Sequence, residues 1–213
     1  DVCSVGLCRG DALLSLRESD SGQDHAAFIT LFIKAVMEEA GYSLSGLDAV
    51  AVSDGPGSYT SLRIGASTAK GICFALGKPL LAVDTLQSLA IACRKEAPDA
   101  AWFCPMIDAR RMEVYCALFD AGLRREWDTR AVVIERQVFD RYVQDGLAIC
   151  GSGALKAVDM LGATHVPLRC SAPYLIPQAL EAYNKQAFGD LAYYTPTYLK
   201  PPNITAPSAK KII

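Results

Sequence analysis

Histidine is scarce in this sequence of 213 residues, which contains only two, His25 and His165. No H-E-x-x-H, H-x-x-x-H or C-x-x-C pattern occurs, so the common short metal-binding motifs are missing. No serine stands in the G-x-S-x-G context of a hydrolase nucleophile. His25 begins an apolar segment and is interpreted as a helix-capping or solvent contact. We therefore predict no metal ligands and no catalytic residues.

The sequence also lacks a strong net charge and a membrane-spanning run. Its 21 Lys and Arg against 23 Asp and Glu give a net charge of −2, so no overall field draws it to nucleic acid or to anionic lipid. The apolar run FITLFIKAVM, at 28–37, is too short to cross a bilayer and contains Lys34. No secretion signal is evident. We therefore expect a cytoplasmic protein with no membrane partner.

Eight cysteines are present, and their spacing is wide. Most of them stand inside apolar runs such as GICFAL and EVYCALF. A disulfide framework is typical of small secreted chains, whereas cysteine in apolar runs of a larger chain is typically a buried thiol. The pattern indicates free thiols in a reducing compartment.

The hydrophobic pattern predicts an alternation of strands and helices. Strand, helix and strand joined by short loops form a parallel crossover unit, and a hairpin that precedes such units indicates a mixed sheet covered by helices. Asp24 is the predicted N-cap of the first long helix, and the last residues, 201–213, are predicted to be an extended tail. The predicted elements are a hairpin of 2–8 and 12–17, a helix at 25–40, a strand at 49–53, a helix at 60–76, a strand at 80–84, a helix at 85–96, strands at 102–108, 112–120 and 130–136, a helix at 137–145, a strand at 147–151, a helix at 153–162 and a last helix from Pro177.

The stretch DGPGSYTS, at 54–61, raises two interpretations. Gly55, Gly57 and Ser58 stand between a predicted strand and a predicted helix, where free backbone N–H groups attract anions. The spacing nevertheless fits neither G-x-x-x-x-G-K-[ST] nor G-x-G-x-x-G, because Thr60 stands at the third glycine position. The alternative is a tight turn that needs glycine backbone angles. The motif alone leaves both open.

Two helices carry more apolar surface than one sheet can cover. In the segment 26–37 the clearly polar positions are Thr30 and Lys34, four residues apart, whereas a helix on a sheet needs apolar residues over little more than a third of its circumference. The helix 60–76 contains Gly65 and Gly71, each costing about 1 kcal/mol relative to alanine. Either these helices are enclosed within a larger fold, or a partner chain covers them.

Other polar residues near predicted strand ends have no clear catalytic partner. Asp84 and Asp108 each end a strand without a second acid or base nearby in sequence. The turn at 108–111, Asp-Ala-Arg-Arg, is interpreted as a polar turn with its own ion pairing. Alternatively, Arg110 and Arg111 contact a phosphate or an acidic partner.

The run SDGPGSYTSLRIGASTAKGICFALGKPLLAVDTLQSLA, at 53–90, resembles the signature of the TsaB (YeaZ) family, and MIDARRMEVYCALFD, CGSGALK and PTYLK resemble later parts of the same family. The resemblance implies an α/β fold of the actin-like ATPase (ASKHA) type with two RNase-H-like lobes. These would be residues 1–98 and 99–200, followed by the tail at 201–213. That fold normally begins with one more strand, so the chain is expected to start after it.

The resemblance also implies a function. Members of the family are non-catalytic subunits of the machinery that threonylcarbamoylates the adenosine next to the anticodon of certain tRNAs. The glycoprotease-like paralogue TsaD carries the metal and the active site, and TsaE supplies an ATPase. The metal-binding H-x-x-x-H of the paralogue corresponds here to Thr85 and Leu89, which cannot replace imidazole. The expected partners are TsaD, TsaE through the complex, a second copy of the chain when alone, and tRNA only indirectly.

The expected binding surface follows from the same resemblance, since the family docks through its first two helices. We expect no cofactor, and no binding of ATP or ADP by this chain alone. The alternative is an active ATP-dependent phosphotransferase or a glycoprotease-like peptidase of the same fold, with phosphate held at Gly55, Gly57 and Ser58. The predicted partner-binding residues are Phe28, Leu31, Phe32, Ala35, Arg63, Gly65, Ala66, Ala69 and Ile72.

Overall fold

The structure is a computed structural model that describes residues 2–19 and 25–200. It begins with an antiparallel hairpin of β1 (Cys3–Arg9) and β2 (Ala12–Ser19). Gly10 lies in the turn with φ of +61°, a conformation that glycine adopts without steric cost. The predicted Asp24 cap, the residue before the hairpin and the predicted tail at 201–213 lie outside the described residues.

A second small sheet follows, covered by helices. It consists of β3 (Val50–Gly55) and β4 (Leu80–Asp84), which pair in parallel with a helix between them, as the crossover pattern predicts. Among the described residues, β1 and β3 each pair on one side only, and the expectation of one more strand before the chain stays a prediction. The elements are α1 (His25–Ala40), β3 (Val50–Gly55), α2 (Tyr59–Leu76), β4 (Leu80–Asp84) and α3 (Thr85–Glu96).

The remaining described strands are β5 (Trp102–Asp108), β6 (Glu113–Asp120), β7 (Arg125–Val133), β8 (Leu147–Cys150) and β9 (Thr164–Val166). They form one five-stranded sheet in the order β7-β6-β5-β8-β9. β5, β6 and β7 are antiparallel neighbours, whereas β8 and β9 run parallel to β5. The sheet is therefore mixed. The elements are β5 (Trp102–Asp108), β6 (Glu113–Asp120), β7 (Arg125–Val133), α4 (Arg136–Gln144), β8 (Leu147–Cys150), α5 (Val158–Leu161), β9 (Thr164–Val166) and α6 (Ile176–Asn184).

The core lies on both faces of the five-stranded sheet. One face packs against α3, which presents Leu86, Leu89 and Cys93 to it. The other face packs against α4 and α5, with Phe139 from α4 and Leu161 from α5. Successive side chains of each strand point to opposite faces of the sheet, so apolar residues on both faces form two apolar layers around one sheet. The predicted α/β class with a mixed sheet is confirmed.

Two predicted elements in the second half are wrong in detail, and one further strand, β9, was not predicted. β7 begins at Arg125 rather than near 130, and β9 has three residues, too few to show a period. The predicted helix at 153–162 is instead a 3₁₀ turn, Ala154–Lys156, followed by α5. Its start is pinned to β5, because the Gly153 N–H donates to the Met106 carbonyl at 2.9 Å and a Cβ on Gly153 would lie 2.7 Å from Val114 Cγ1.

Candidate docking surface and glycine loop

Most of the apolar surface of α1 is left partly open by its own chain. Among the described side chains of this helix, only Val36 and Met37 are buried, where they pack with Leu7 of β1. Leu31 is 59% exposed. Phe28 and Phe32 stack on each other with ring centroids 5.6 Å apart and are half-buried. A helix that hides two side chains fully has spare apolar surface.

The contacts of α2 divide its residues into a core face and an outer face. Leu62, Ala66, Ala69 and Cys73 are buried, at the i, i+3, i+4 spacing of one helical face. Ala69 and Cys73 pack with strands β3 and β4. Ala66 and Ala69, which are predicted to contact a partner, are each only 5% exposed, because their spacing with Leu62 places them on the core face of the helix. Their contact with a partner stays a prediction that this burial does not support.

A groove separates α1 from α2. Its volume is about 330 Å³, and its surface is mostly apolar. Ile72 is the one residue of the predicted binding set that lines it. The sequence missed the others, although Thr68 and Ile72, four residues apart in a nearly uncharged face of α2, were a signal. The lining residues are Thr30, Ile33, Lys34, Met37, Glu38, Leu44, Thr68 and Ile72.

The other predicted residues of α1 do not line the groove. Advancing 100° per residue, Phe28, Leu31 and Ala35 share the flank of α1 that faces away from α2, with Phe32 next to them. Lys34 separates this flank from the groove. A partner lying across α1 would contact both this flank and the groove, and the role of these residues in binding stays a prediction.

Two predicted binding residues of α2, Arg63 and Gly65, do not line the groove either. Arg63 lies half a turn from Ile72, and its guanidinium sits 5.5 Å from the centroid of the Tyr59 ring. A Cβ at Gly65 would meet Val52 at an ordinary 3.5 Å, and one at Gly71 would meet nothing within 4 Å. The contacts described within this chain therefore do not require glycine at either position. Sequence reasoning also missed Phe74, on the Arg63 side, which is 82% exposed.

The glycine loop joins β3 to α2. Gly55 has φ of +105°, and the peptide bond to Pro56 is cis. A Cβ on Gly55 would lie 2.9 Å from the carbonyl oxygen of Thr197, so glycine is required there both by conformation and by a close approach. Ser58 caps α2, its hydroxyl accepting from the Ser61 N–H at 3.5 Å. The loop is thus a helix start held against a later part of the chain.

The two aspartates at strand ends have structural partners. Asp84 accepts from the Gln87 N–H at 2.9 Å as the N-cap of α3, and it pairs with Arg125 at 2.8 Å. Asp108 pairs with Lys156 at 2.6 Å and accepts from the Arg110 N–H. The prediction that this turn contains its own ion pair is therefore wrong: Asp108 pairs with Lys156, which lies outside the turn, and it contacts Arg110 only through the backbone N–H.

The arginines of that turn remain exposed. Arg110 and Arg111 have φ of +71° and +51°, which is uncommon for residues with a side chain. Their guanidinium groups form no ion pair with an acid among the described residues. The alternative, contact with a phosphate or an acidic partner, stays a prediction.

The positions that correspond to the paralogue's histidines are occupied by packing residues. The Thr85 hydroxyl lies 2.5 Å from that of Ser53, and Leu89 is 1% exposed in the core. Within residues 2–19 and 25–200, no three His, Cys, Asp or Glu side chains cluster so that they could hold a metal ion. The residues here do not fit a metal centre.

The structure also shows the state of the cysteines and the length and polarity of the helices. All eight cysteines are free, and six of them are buried. Burial raises the pKa of the Cys170 thiol to about 11. None of the helices in the described part of the chain is both long and apolar enough to cross a membrane.

Comparison with known proteins gives a family and two close structures. Residues 19–154 match the model of the family described as TsaD, tRNA N6-adenosine threonylcarbamoyltransferase. The tRNA threonylcarbamoyladenosine biosynthesis protein TsaB of Escherichia coli is 31% identical over 148 residues, covering 68% of this chain and 63% of that protein. The chain thus spans less than two thirds of the length of that relative.

The two solved structures come from Pseudomonas aeruginosa and each cover 93% of this chain and 94% of their own. One is an uncharacterized protein with similarity to peptidase YeaZ, with 26% identity and a TM-score of 0.80. The other is YeaZ, with 27% identity and a TM-score of 0.76. These matches show that the chain has the fold of YeaZ. The actin-like ATPase class expected from the resemblance stays a prediction.

Proposed function

Because this chain belongs to the TsaB (YeaZ) family, we propose that it is a non-catalytic subunit of the tRNA threonylcarbamoyladenosine machinery. It binds a TsaD-type paralogue through α1, α2 and the groove between them. It acts in the cytoplasm, forms a homodimer when alone, and meets TsaE and tRNA through the complex. It needs no cofactor of its own.

The observation that carries this proposal is the open apolar surface of α1. Two of the described side chains of this 16-residue helix are buried, whereas Leu31 is exposed and the stacked Phe28–Phe32 pair is half-buried, so the described part of the chain leaves the helix partly uncovered. Contiguous apolar surface rimmed by polar groups is typical of protein–protein interfaces. Thr30, Lys34 and Glu38 supply such a rim along the groove.

Two glycines of α2 support the same surface, since Gly65 and Gly71 each weaken a helix by about 1 kcal/mol relative to alanine. Among the described residues, a Cβ at Gly65 would meet Val52 at an ordinary 3.5 Å and one at Gly71 would meet nothing within 4 Å, so no close approach requires glycine. Ile72 stands beside them in the groove wall. Small residues let another helix come near, which gives these glycines a use in a complex that they lack in the isolated chain.

Co-expression with the TsaD-type paralogue from the same genome tests the proposal. The two chains are expected to co-purify, and together with TsaE they are expected to restore the modified adenosine in tRNA, measured by nucleoside mass spectrometry. The chain alone is expected to give no turnover of ATP. Turnover of ATP or peptide by the isolated chain, with no co-purification, would favour the phosphotransferase or peptidase alternative.

A further inference from the structure

The segment at 190–200, called the strap below, runs along α2. Just before it, the Gly189 N–H donates to the Leu80 carbonyl of β4 at 2.8 Å. The ammonium of Lys70 then donates to the carbonyls of Ala192 and Tyr194, at 3.2 and 3.0 Å. One lysine of α2 thus holds two backbone carbonyls, which fixes the direction of the strap toward the start of the helix.

The strap next crosses the glycine loop. The Thr197 N–H donates to the Asp54 carbonyl at 2.9 Å, and its hydroxyl donates to the Asp54 carboxylate at 2.7 Å. The Thr197 carbonyl occupies the space that a Cβ on Gly55 would need. The next residue, Tyr198, places its ring 4.7 Å from that of Tyr59, the first residue of α2. Adjacent strap residues therefore contact both ends of the loop.

The far end of the strap reaches the five-stranded sheet. Lys200 forms an ion pair with Glu113 of β6, and its ammonium lies 5.9 Å from the centroid of the Tyr115 ring. The strap is thus held at one end by β4 and α2 and at the other by β6.

The charge at the loop is unfavourable for a phosphate group. Asp54 places a carboxylate beside Gly55, where an anionic ligand would be repelled. The Tyr194 hydroxyl is buried close to Asp54, and its pKa is raised by this burial and by the negative charge of Asp54. The loop thus presents a negative charge to whatever lies against it, which suits a neutral segment of chain better than an anion.

We propose that the strap closes the glycine loop against phosphate ligands and fastens the start of α2 to the second sheet. The loop of a nucleotide-binding fold thus serves here as an internal docking site for the chain's own residues 194–198. This inference does not use the paralogue, so its failure would leave the proposed binding to a TsaD-type paralogue through α1 and α2 untouched.

Hydrogen exchange by mass spectrometry on the full chain tests the proposal. Thr197→Pro removes both bonds to Asp54, and Thr197→Val removes only the one from the hydroxyl. Since a hydrogen bond to a charged group contributes roughly tenfold or more to an opening equilibrium, amides at 55–61 are expected to exchange at least about tenfold faster in both variants. Tyr193→Ala is the control, because that side chain is 84% exposed and its loss is expected to change nothing.

Two results would overturn the proposal. One is an unchanged exchange rate at 55–61 in both Thr197 variants, which would mean that the strap does not hold the loop. The other comes from adding millimolar ATP with magnesium to the wild-type chain. Slower exchange at 55–61 under that condition would mean that the loop accepts phosphate with the strap in place, whereas no change is expected.

Discussion

Truncation of Leu31 tests the docking surface most directly. Complete burial of a leucine side chain contributes about 1.5–3 kcal/mol, and 59% of this one is exposed in the isolated chain. If a partner covers that fraction, Leu31→Ala should weaken binding by roughly 1–2 kcal/mol, about five- to thirtyfold in Kd. Leu31→Asp should weaken it further, because a carboxylate would be buried without a counter-charge.

Leu155→Ala is the matched control, since Leu155 is 72% exposed on the other half of the chain. Exposed substitutions of this kind usually change the free energy of unfolding by no more than about 0.5 kcal/mol, so both variants should fold normally by circular dichroism. Calorimetric titration with the TsaD-type paralogue gives Kd, and sedimentation equilibrium gives self-association. Wild-type affinity of both Leu31 variants, or an equal loss in Leu155→Ala, would refute the assigned surface.

Three further predictions concern the chain alone. Gly55→Ala should lower the free energy of unfolding by on the order of 1–3 kcal/mol, because φ is +105° and Thr197 leaves no space for a Cβ. Gly71→Ala should instead raise the free energy of unfolding by up to about 1 kcal/mol. Urea unfolding compares the two variants, and equal effects on stability would contradict the geometry. The Ser15 hydroxyl and then Arg17 lower the pKa of Glu39, so their stabilisation is complete above its ordinary value of 4.5 and is lost as the pH falls through the lowered folded pKa. The unfolding midpoint of Glu39→Gln should therefore lie below that of the wild type at pH 7, and the two midpoints should converge at pH 3. The same difference between the two proteins at both pH values would refute this. Iodoacetamide should label exposed Cys8 first, and Cys170 should react appreciably only as the pH approaches about 11; fast labelling of Cys170 at pH 8, read by peptide mass, would show that its thiol is not shielded.

Local signals were enough to determine most elements. The apolar runs at 80–84 and 102–108 and the helix at 85–96 match β4, β5 and α3 because each has a clear period and a clear stop. The excess of apolar residues on α1 could likewise be predicted, since the fraction of a helix's circumference that is apolar depends only on the spacing of residues in the sequence. The three-residue β9 and the broken helix after residue 153 were not, because their limits come from contacts with β8 and β5.

The binding surface was only partly readable. Sequence spacing showed that α1 and α2 have too much apolar surface, but not which side of each helix the chain's own sheet would cover. Packing decided that Ala66 and Ala69 go inside and that Ile72 faces the groove. The hydrophobic period shows which residues share a face of a helix. Which of these faces packs on the sheet depends on the strands that lie beneath the helix.

The family resemblance and the element order came from the sequence by itself, because motif spacing and hydrophobic period are local properties of the chain. Only the tertiary structure decided how the glycine loop is used. The residues that cross it, Thr197 and Tyr198, are about 140 positions away from Asp54 and Tyr59. No local pattern encodes such a contact, since it depends on the path that the folded chain takes between its two halves.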